Sequence, residues 1–196
     1  MAHKINMVMN KERWDGITKS RNFKEVRSGT PKEEDFWNTT ESIPGLEKHM
    51  IFLDLGCGPG REAFHVAPKV KEYYGVDIHK ELIEIAKEHY KEFQDILNIS
   101  FMVNNGRDLN MFTNTMFDYI YARLLFIHIT KANIIRYLKE CEWIIKQEGI
   151  LYVPDMPNDE FWHNGFTESD LRDVLSNFSS VDITKNGNTF ILRAVR

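Results

Sequence analysis

The sequence predicts an α/β fold: a doubly wound, mostly parallel seven-stranded sheet with a C-terminal antiparallel hairpin strand and an N-terminal helical lid. Three observations predict it. From residue 50 onward, short apolar runs alternate with stretches of helical periodicity. A glycine-rich turn, Gly56-Cys57-Gly58-Pro59-Gly60, separates the first apolar run from the first helical stretch. The tail then changes pattern, with two β-type runs joined by Asn186-Gly187-Asn188. Parallel strands need long crossovers, which the helical stretches supply, whereas a short turn joins antiparallel neighbours.

Taken in order, Met50 to Leu55 is apolar save for Asp54, the pattern of a strand buried on both faces. Gly60 to Ala67 predicts a helix stopped by Pro68. Tyr73 to Val76 is a short strand, and a helix over Lys80–Phe93 places Leu82, Ile85, Ala86, Tyr90 and Phe93 on one face. Ile99 to Val103 and Phe117 to Ala122 follow as strands. A helix over Lys131–Lys146 carries Ile134, Ile135, Leu138, Cys141 and Ile145 at helical spacing, with Gly149 placed to follow its end. Ile150 to Val153 is a strand ended by Pro154. Thr167 with Asp170 three residues on predicts a capping box and a helix through Leu171, Val174 and Leu175. Val181 to Ile183 and Thr189 to Val195 form the terminal hairpin. Residues 1–47 lack clean helical periodicity and are broken by Ser28-Gly29-Thr30-Pro31 and Pro44-Gly45, so the chain divides into a lid or appendage (1–47) and a main domain (48–196).

Composition removes several function classes. Lys and Arg total 25 against 29 Asp and Glu, a net charge of −4, so no global basic field drives nucleic-acid binding. The first 27 residues carry seven Lys/Arg against three acids, the pattern of a solvated face. Two cysteines form neither a disulfide framework nor a zinc cluster. His3, His49, His65, His79 and His89 are scattered without ligand spacing, and no metal is expected. No apolar run reaches the roughly 18 residues of a membrane span, and the N-terminus lacks a signal-peptide core. The expectation is a soluble, cytoplasmic protein without a membrane partner, a monomer or weak homodimer.

Ligands of such sheets bind beyond the carboxyl ends of the strands, where strand order reverses. The sequence at that place is Leu53-Asp54-Leu55-Gly56-Cys57-Gly58-Pro59-Gly60-Arg61. Its glycines permit positive φ and close backbone approach to a ligand. Asp77 ends the next strand, where a carboxylate accepts the ribose hydroxyls of an adenosine or caps the following helix. A phosphate loop would need Lys and Ser/Thr after the last glycine, and Arg61-Glu62 stand there instead. The dinucleotide fingerprint wants a third glycine where Arg61 stands. Asp54 would repel a pyrophosphate and suits a ligand with a cationic amino group.

At these residues a family resemblance becomes specific. Asp54 to Gly60 resembles motif I of class I S-adenosylmethionine-dependent methyltransferases, and Tyr74-Gly75-Val76-Asp77 resembles the acidic motif that follows it. Asn105-Gly106-Arg107-Asp108-Leu109 resembles the loop at the adenine edge, and Phe117 to Ala122 the fourth strand. Ile144 to Gly149 resembles the helix end before strand five, with a common Pro-Gly-Gly replaced by Gln-Glu-Gly. The similarity spans about residues 48–196. It implies S-adenosylmethionine as cofactor, held by Asp54, Gly56, Cys57, Gly58, Gly60, Arg61, Asp77, Ile78, Gly106, Arg107, Asp108 and Ala122.

Single residues carry more than one reading. Arg61 is either a clamp for the methionine carboxylate or an exposed helix arginine. Asp108 either meets adenine or shapes a turn. Cys57, between glycines, is a small filler. His128, just past the fourth strand, is the candidate general base, or else a helix-start histidine with a structural hydrogen bond. Arg123 is the second candidate in the chemistry, binding an acidic substrate group or pairing with a surface acid. Asp155, Trp162 and His163 follow strand five toward an acceptor pocket, and Trp14, Phe36 and Trp37 belong to the lid or to core contacts. The fourth strand ends Ala122-Arg123-Leu124-Leu125, without the Asn/Asp-Pro-Pro-Tyr/Phe signature of amino-group methylation on DNA bases or glutamine. The resemblance therefore implies an enzyme acting on a small-molecule O or N acceptor. A protein or RNA substrate, a non-catalytic S-adenosylmethionine-binding subunit and a nicotinamide-dependent oxidoreductase are the alternatives.

Overall fold

The computed structural model describes residues 43–91, 98–157, 167–187 and 189–196. Within them a seven-stranded sheet has the order β3-β2-β1-β4-β5-β7-β6. The strands are β1 (Ile51–Leu55), β2 (Glu72–Asp77), β3 (Ile99–Val103), β4 (Phe117–Tyr121), β5 (Ile145–Pro157), β6 (Ser180–Asn186) and β7 (Thr189–Val195). Neighbours from β3 through β5 pair in parallel, and β7 is antiparallel to both β5 and β6. Strand order runs outward from β1 in one direction and from β4 in the other, which puts the reversal between those two strands.

Four α-helices lie among the described residues: α1 (Ala63–Val66), α2 (Lys80–His89), α3 (Lys131–Ile144) and α4 (Glu168–Val174). Alternate strand residues feed two cores. Leu53, Leu55, Val76 and Ile120 pack with Ile134, Leu138, Cys141 and Ile144 of α3 and Leu171 of α4. Phe52, Tyr73, Tyr119 and Tyr121 pack on the other face with Ala63 and Val66 of α1 and Ile83 and Ala86 of α2. Phe52 stacks between Tyr73 and Tyr119, at centroid distances of 5.7 and 5.2 Å. Helices on both faces of the sheet explain why the inner strands read as continuous apolar runs.

The observed elements depart from the expected ones where tertiary contacts overrule local pattern. The first helix is one turn, Ala63–Val66, because Gly60 at φ +80° is outside helical space. The α-helix ends at Val66 ahead of Pro68, and the chain passes into a 3₁₀ segment, Ala67–Lys69, with Pro68 in its first turn. Helix α3 ends at Ile144, and β5 begins at once rather than after Gly149. Between the pairs Phe117↔Ile145 and Tyr119↔Ile150 the register shifts, so β5 bulges outward. The bulge is fastened by tertiary partners. Lys146 Nζ reaches both oxygens of Asp118 at 2.9 and 2.8 Å, and Asp118 Oδ2 also accepts the amide of Ile51. Glu148, at φ +61°, donates its amide to Arg196 O, and the Arg196 amide returns to Gly149 O. Pro154 does not end β5 either: a second register shift between Val153 and Met156 takes up the missing donor.

The Thr167–Asp170 capping box forms, with Thr167 Oγ1 accepting the Asp170 amide and the Asp170 carboxylate accepting the Thr167 amide. The hairpin turns at the expected place, from Asn186 to Thr189. Most of the expected lid (1–47), Phe93, Trp162 and His163 lie outside the described residues, as do Trp14, Phe36 and Trp37; Asp155 lies in β5. No helix among the described residues is long and apolar enough to cross a membrane.

Gly149 tests the bulge. A Cβ there would come within 2.6 Å of Ile145 Cγ1 and 2.9 Å of the Lys146 carbonyl oxygen. Overpacking of this kind costs about 1–3 kcal/mol. Gly149→Ala should lower the urea midpoint accordingly while the slope stays the same; an unchanged midpoint would show that β5 relaxes without cost.

Candidate functional site

The glycine turn leaves β1 at the point of strand reversal. Gly56, Gly58 and Gly60 have φ of +80°, +54° and +80°, a conformation that side chains strain. The amides of Gly56 and Cys57 both donate to Val76 O at the end of β2, at 2.8 and 3.0 Å. The Gly60 carbonyl accepts the Tyr90 hydroxyl at 2.8 Å. Space around the three glycines differs. A Cβ on Gly60 would meet Phe101 at 2.8 Å, and one on Gly56 would meet Leu125 at 3.1 Å, whereas one on Gly58 would meet no atom within 4 Å. Gly56 and Gly60 therefore serve packing, and Gly58 borders open space.

Asp77 faces that space from the end of β2. Its Oδ2 accepts the Gly58 amide at 3.0 Å, and its Oδ1 accepts both the amide and the ring Nδ1 of His79 at 2.9 Å each. The carboxylate is thus tied to the glycine turn rather than capping α2, whose N-cap is His79. Ile78 and Val103, next to Asp77 and its register partner, are 39% and 44% exposed, an apolar shelf at the sheet's carboxyl edge. Gly106 lies against the shelf, 3.0 Å from Ile78 Cγ2 for an added Cβ.

The loop after β3 is built from its own polar side chains. Asn104 donates its amide to Asp77 O, and its Oδ1 accepts the Gly106 amide. Asn105 Oδ1 accepts the amides of Arg107 and Asp108, and Asn105 Nδ2 donates to Asp108 Oδ2. Asp108 Oδ1 accepts the Asn110 amide, so both its oxygens are engaged in shaping the turn. Arg107 is exposed beside it, and Arg136 of α3 donates to Gly106 O.

Under the glycine turn lies a buried acidic cluster. Asp54 is 2% exposed, and Tyr73 donates its hydroxyl to Asp54 Oδ2 at 2.5 Å. Burial, reinforced by the negative charge of Glu62, pushes the Asp54 carboxyl up to about 8, against a smaller downward pull from the Tyr73 hydrogen bond. Burial also raises the Cys57 thiol and the Tyr73 hydroxyl, which keeps both neutral. Glu62 is 8% exposed; one oxygen takes Arg123 Nη1 at 3.2 Å and the other has no hydrogen-bond partner.

Arg123 therefore joins the end of β4 to the residue two beyond the glycine turn. Ala122 is buried beside it, its amide donating to Tyr152 O. Leu124 follows at φ +56°, and Leu125 covers Gly56. His128 closes a 3₁₀ turn, Phe126–His128, half-buried and with its amide on Leu125 O. Arg61 lies in the turn before α1, close enough to Asp54 for its charge to be felt. The fold thus brings Asp54, the glycines, Arg61, Asp77, Ile78, Gly106, Ala122, Arg123 and His128 to the carboxyl edge of β1, β2 and β4. Glu62, Asn104, Tyr73 and His79 belong to the same neighbourhood and were not singled out from sequence. Asn104 is signalled only by its place before Asn105-Gly106, and His79 has no ligand spacing around it.

A family model described as a methyltransferase domain matches residues 52–149. An uncharacterized methyltransferase of Bacillus subtilis, YcgJ, is 31% identical over 115 residues, 56% of this chain and 44% of that protein. A ubiquinone biosynthesis O-methyltransferase of Coxiella burnetii is 33% identical over 107 residues, 54% of this chain and 42% of that protein. The match thus spans less than half the length of these curated relatives. Among solved structures, phosphoethanolamine N-methyltransferase 1 of Haemonchus contortus, in complex with phosphoethanolamine and S-adenosylhomocysteine, shares the fold. Its TM-score is 0.73 at 14% identity, over 100% of this chain and 50% of that one.

Asp54 gives the site a measurable signature. Its carboxyl is protonated in the folded state up to about pH 8 but ionised above the ordinary 3.8 when unfolded, so folding takes up a proton in between. Ligand-free stability contributed by this group is present at low pH and is lost as pH rises through about 8. Urea unfolding at pH 5 and pH 8 should show a smaller loss of stability for Asp54→Asn than for the parent. Equal losses would mean that Asp54 is ionised in the folded protein.

Proposed function

The chain belongs to the class I S-adenosylmethionine-dependent methyltransferase family, and from that premise we propose that it transfers a methyl group to an oxygen or nitrogen of a small-molecule acceptor. The observation that carries this reading is the open space at Gly58 bordered by the Asp77 carboxylate. Van der Waals room beside a buried-edge carboxylate is what a ribose needs. Bound S-adenosylmethionine would supply a sulfonium methyl whose carbon is open to in-line attack, with S-adenosylhomocysteine as the neutral thioether leaving group.

The chain's own residues divide the binding. A carboxylate has about four acceptor positions, and three on Asp77 are filled, so the open one is on Oδ2 beside Gly58. Ile78 and Val103 offer apolar surface to an adenine, with Gly106 leaving room beside them. Arg107 and Asp108 stand at its polar edge. Asp54 waits neutral under the turn, and an arriving ammonium favours its ionised form. Arg61 is placed for a carboxylate. Ala122, Arg123 and His128 line the side where an acceptor would enter. Holding the acceptor atom about 3–3.5 Å from the methyl supplies much of the rate.

His128 is the proposed general base where the acceptor must lose a proton. His128→Asn should lower kcat by about a hundredfold or more with affinity for S-adenosylhomocysteine unchanged; an unchanged kcat removes His128 from the chemistry. Two relatives are named for methylation in ubiquinone biosynthesis and of phosphoethanolamine, and both names support a metabolite acceptor. An assay for S-adenosylhomocysteine formation over phenols, amines and phospho-amino alcohols tests this, and turnover on RNA or protein alone would contradict it.

Cofactor binding has its own test by calorimetry. Asp77→Ala removes a charged acceptor whose hydrogen bonds are worth about 1.5–3 kcal/mol each. Affinity for S-adenosylhomocysteine should fall at least tenfold, and the ligand-free melting temperature should also fall because the Gly58 and His79 donors lose their acceptor. Gly58→Val fills the open space and also strains the +54° backbone, so it should abolish binding and lower the ligand-free melting temperature. Gly58→Asn tolerates that φ and should weaken binding in a protein that stays folded. Retained affinity in these variants, or binding of NAD in preference, would overturn the assignment.

A further inference from the structure

Asp77 does not stand alone, and its partner has no role in the function described so far. His79 occupies the N-cap of α2 (φ −93°, ψ 107°), yet its side chain makes no capping bond. Ser, Thr, Asp or Asn stabilises a helix at that position, and a histidine does not. The ring is instead turned back along the chain, 6% exposed, with Nδ1 2.9 Å from Asp77 Oδ1. A carboxylate has only lone pairs to offer, so this contact requires the proton on Nδ1. The backbone amide of His79 reaches the same oxygen at 2.9 Å, and the Gly58 amide holds the other at 3.0 Å.

These three donors fix the carboxylate completely. Rotation about the terminal torsion of an aspartate is soft and nearly two-fold. Two backbone amides, one on each oxygen, already oppose that rotation. A buried imidazole with a second bond to Oδ1 stiffens it further, fills that oxygen and leaves the open acceptor position on Oδ2, facing Gly58. Fixing the acceptor before the ligand arrives avoids an ordering cost at binding.

We propose that His79 is the positioning residue for ribose recognition: its Nδ1–H holds Asp77 in the orientation that accepts a ribose hydroxyl, so the affinity contributed by the ribose depends on this ring. The proposal rests on the reading that Asp77 takes the ribose of an adenosyl cofactor. It assigns to this chain a second residue for the same contact, supplied from where a helix cap would otherwise be.

The test is calorimetric titration of the full chain with S-adenosylhomocysteine and with its 2′,3′-dideoxy analogue. Variants are His79→Asn, His79→Gln, His79→Leu and Asp77→Asn, each with its ligand-free melting temperature measured. The Asn amide nitrogen reaches the place of Nδ1, whereas Gln extends to the place of Nε2. His79→Asn should keep affinity for S-adenosylhomocysteine within about twofold. His79→Gln and His79→Leu should lose about tenfold, the worth of one hydrogen bond to a charged group. Neither should change affinity for the dideoxy analogue. Comparison of Asn with Gln carries the result even where Leu fails to fold. Loss of affinity for both ligands alike, or no loss with Gln, overturns the role of His79. If Asp77→Asn binds S-adenosylhomocysteine as the parent does, the ribose assignment itself is wrong, and that outcome is separate from any effect at His79.

Discussion

The hydrogen bonds from the glycine turn to the end of β2 are the constraint on which the site depends. Gly56 and Cys57 share the Val76 carbonyl, and Gly58 takes the Asp77 carboxylate. Three positive-φ glycines in five residues have little preference of their own, and these bonds select one path among many. The path places backbone amides and a carboxylate around the same open space. It also requires β1 and β2 to be adjacent and parallel in this register, Leu55 opposite Val76. Sheet topology and site are therefore one structure: the order reversal between β1 and β4 opens the crevice, and the β2 end supplies its acceptor.

Electrostatics beneath the turn follow from the same packing. Asp54 is placed by strand alternation on the face shared with Phe52 and Tyr73, where the stacked rings exclude water. A carboxyl there stays neutral unless a cation reaches it. Glu62 is similarly buried but remains in contact with Arg123, so the two acids differ in their counter-charges. In the proposed function this difference suits the two ends of an amino acid moiety. There Arg61 would meet the carboxylate end and Asp54 would respond to the ammonium, while Arg123 stays with Glu62.

Much of this was legible in the sequence, for local reasons. The glycine spacing and the apolar run before it fix the turn, because only glycine takes those φ values cheaply and only a two-faced strand reads as Phe52-Leu53-Asp54-Leu55. The bounds of β3 and β7 are those expected, since turn residues flank both. What escaped depends on distant partners. The length of β5 is set by Arg196 and Asp118, which lie about thirty to fifty residues away along the chain, and its Gln-Glu-Gly turn became a bulge inside the strand. The Glu62–Arg123 pair spans 61 positions and has no sequence signature. The Asp77–His79 contact is only two residues apart, but it depends on a side chain turning away from its helix. No spacing rule announces that.

In the proposed function the space beside Gly58 and Asp77 receives an adenosyl ligand. A crystal structure of the chain grown with S-adenosylhomocysteine measures this most directly. Ribose density should lie within hydrogen-bond distance of Asp77 Oδ2, with the base over Ile78 and the amino acid end above Asp54. Ligand density at any other place, or a ribose turned away from Asp77, would contradict it.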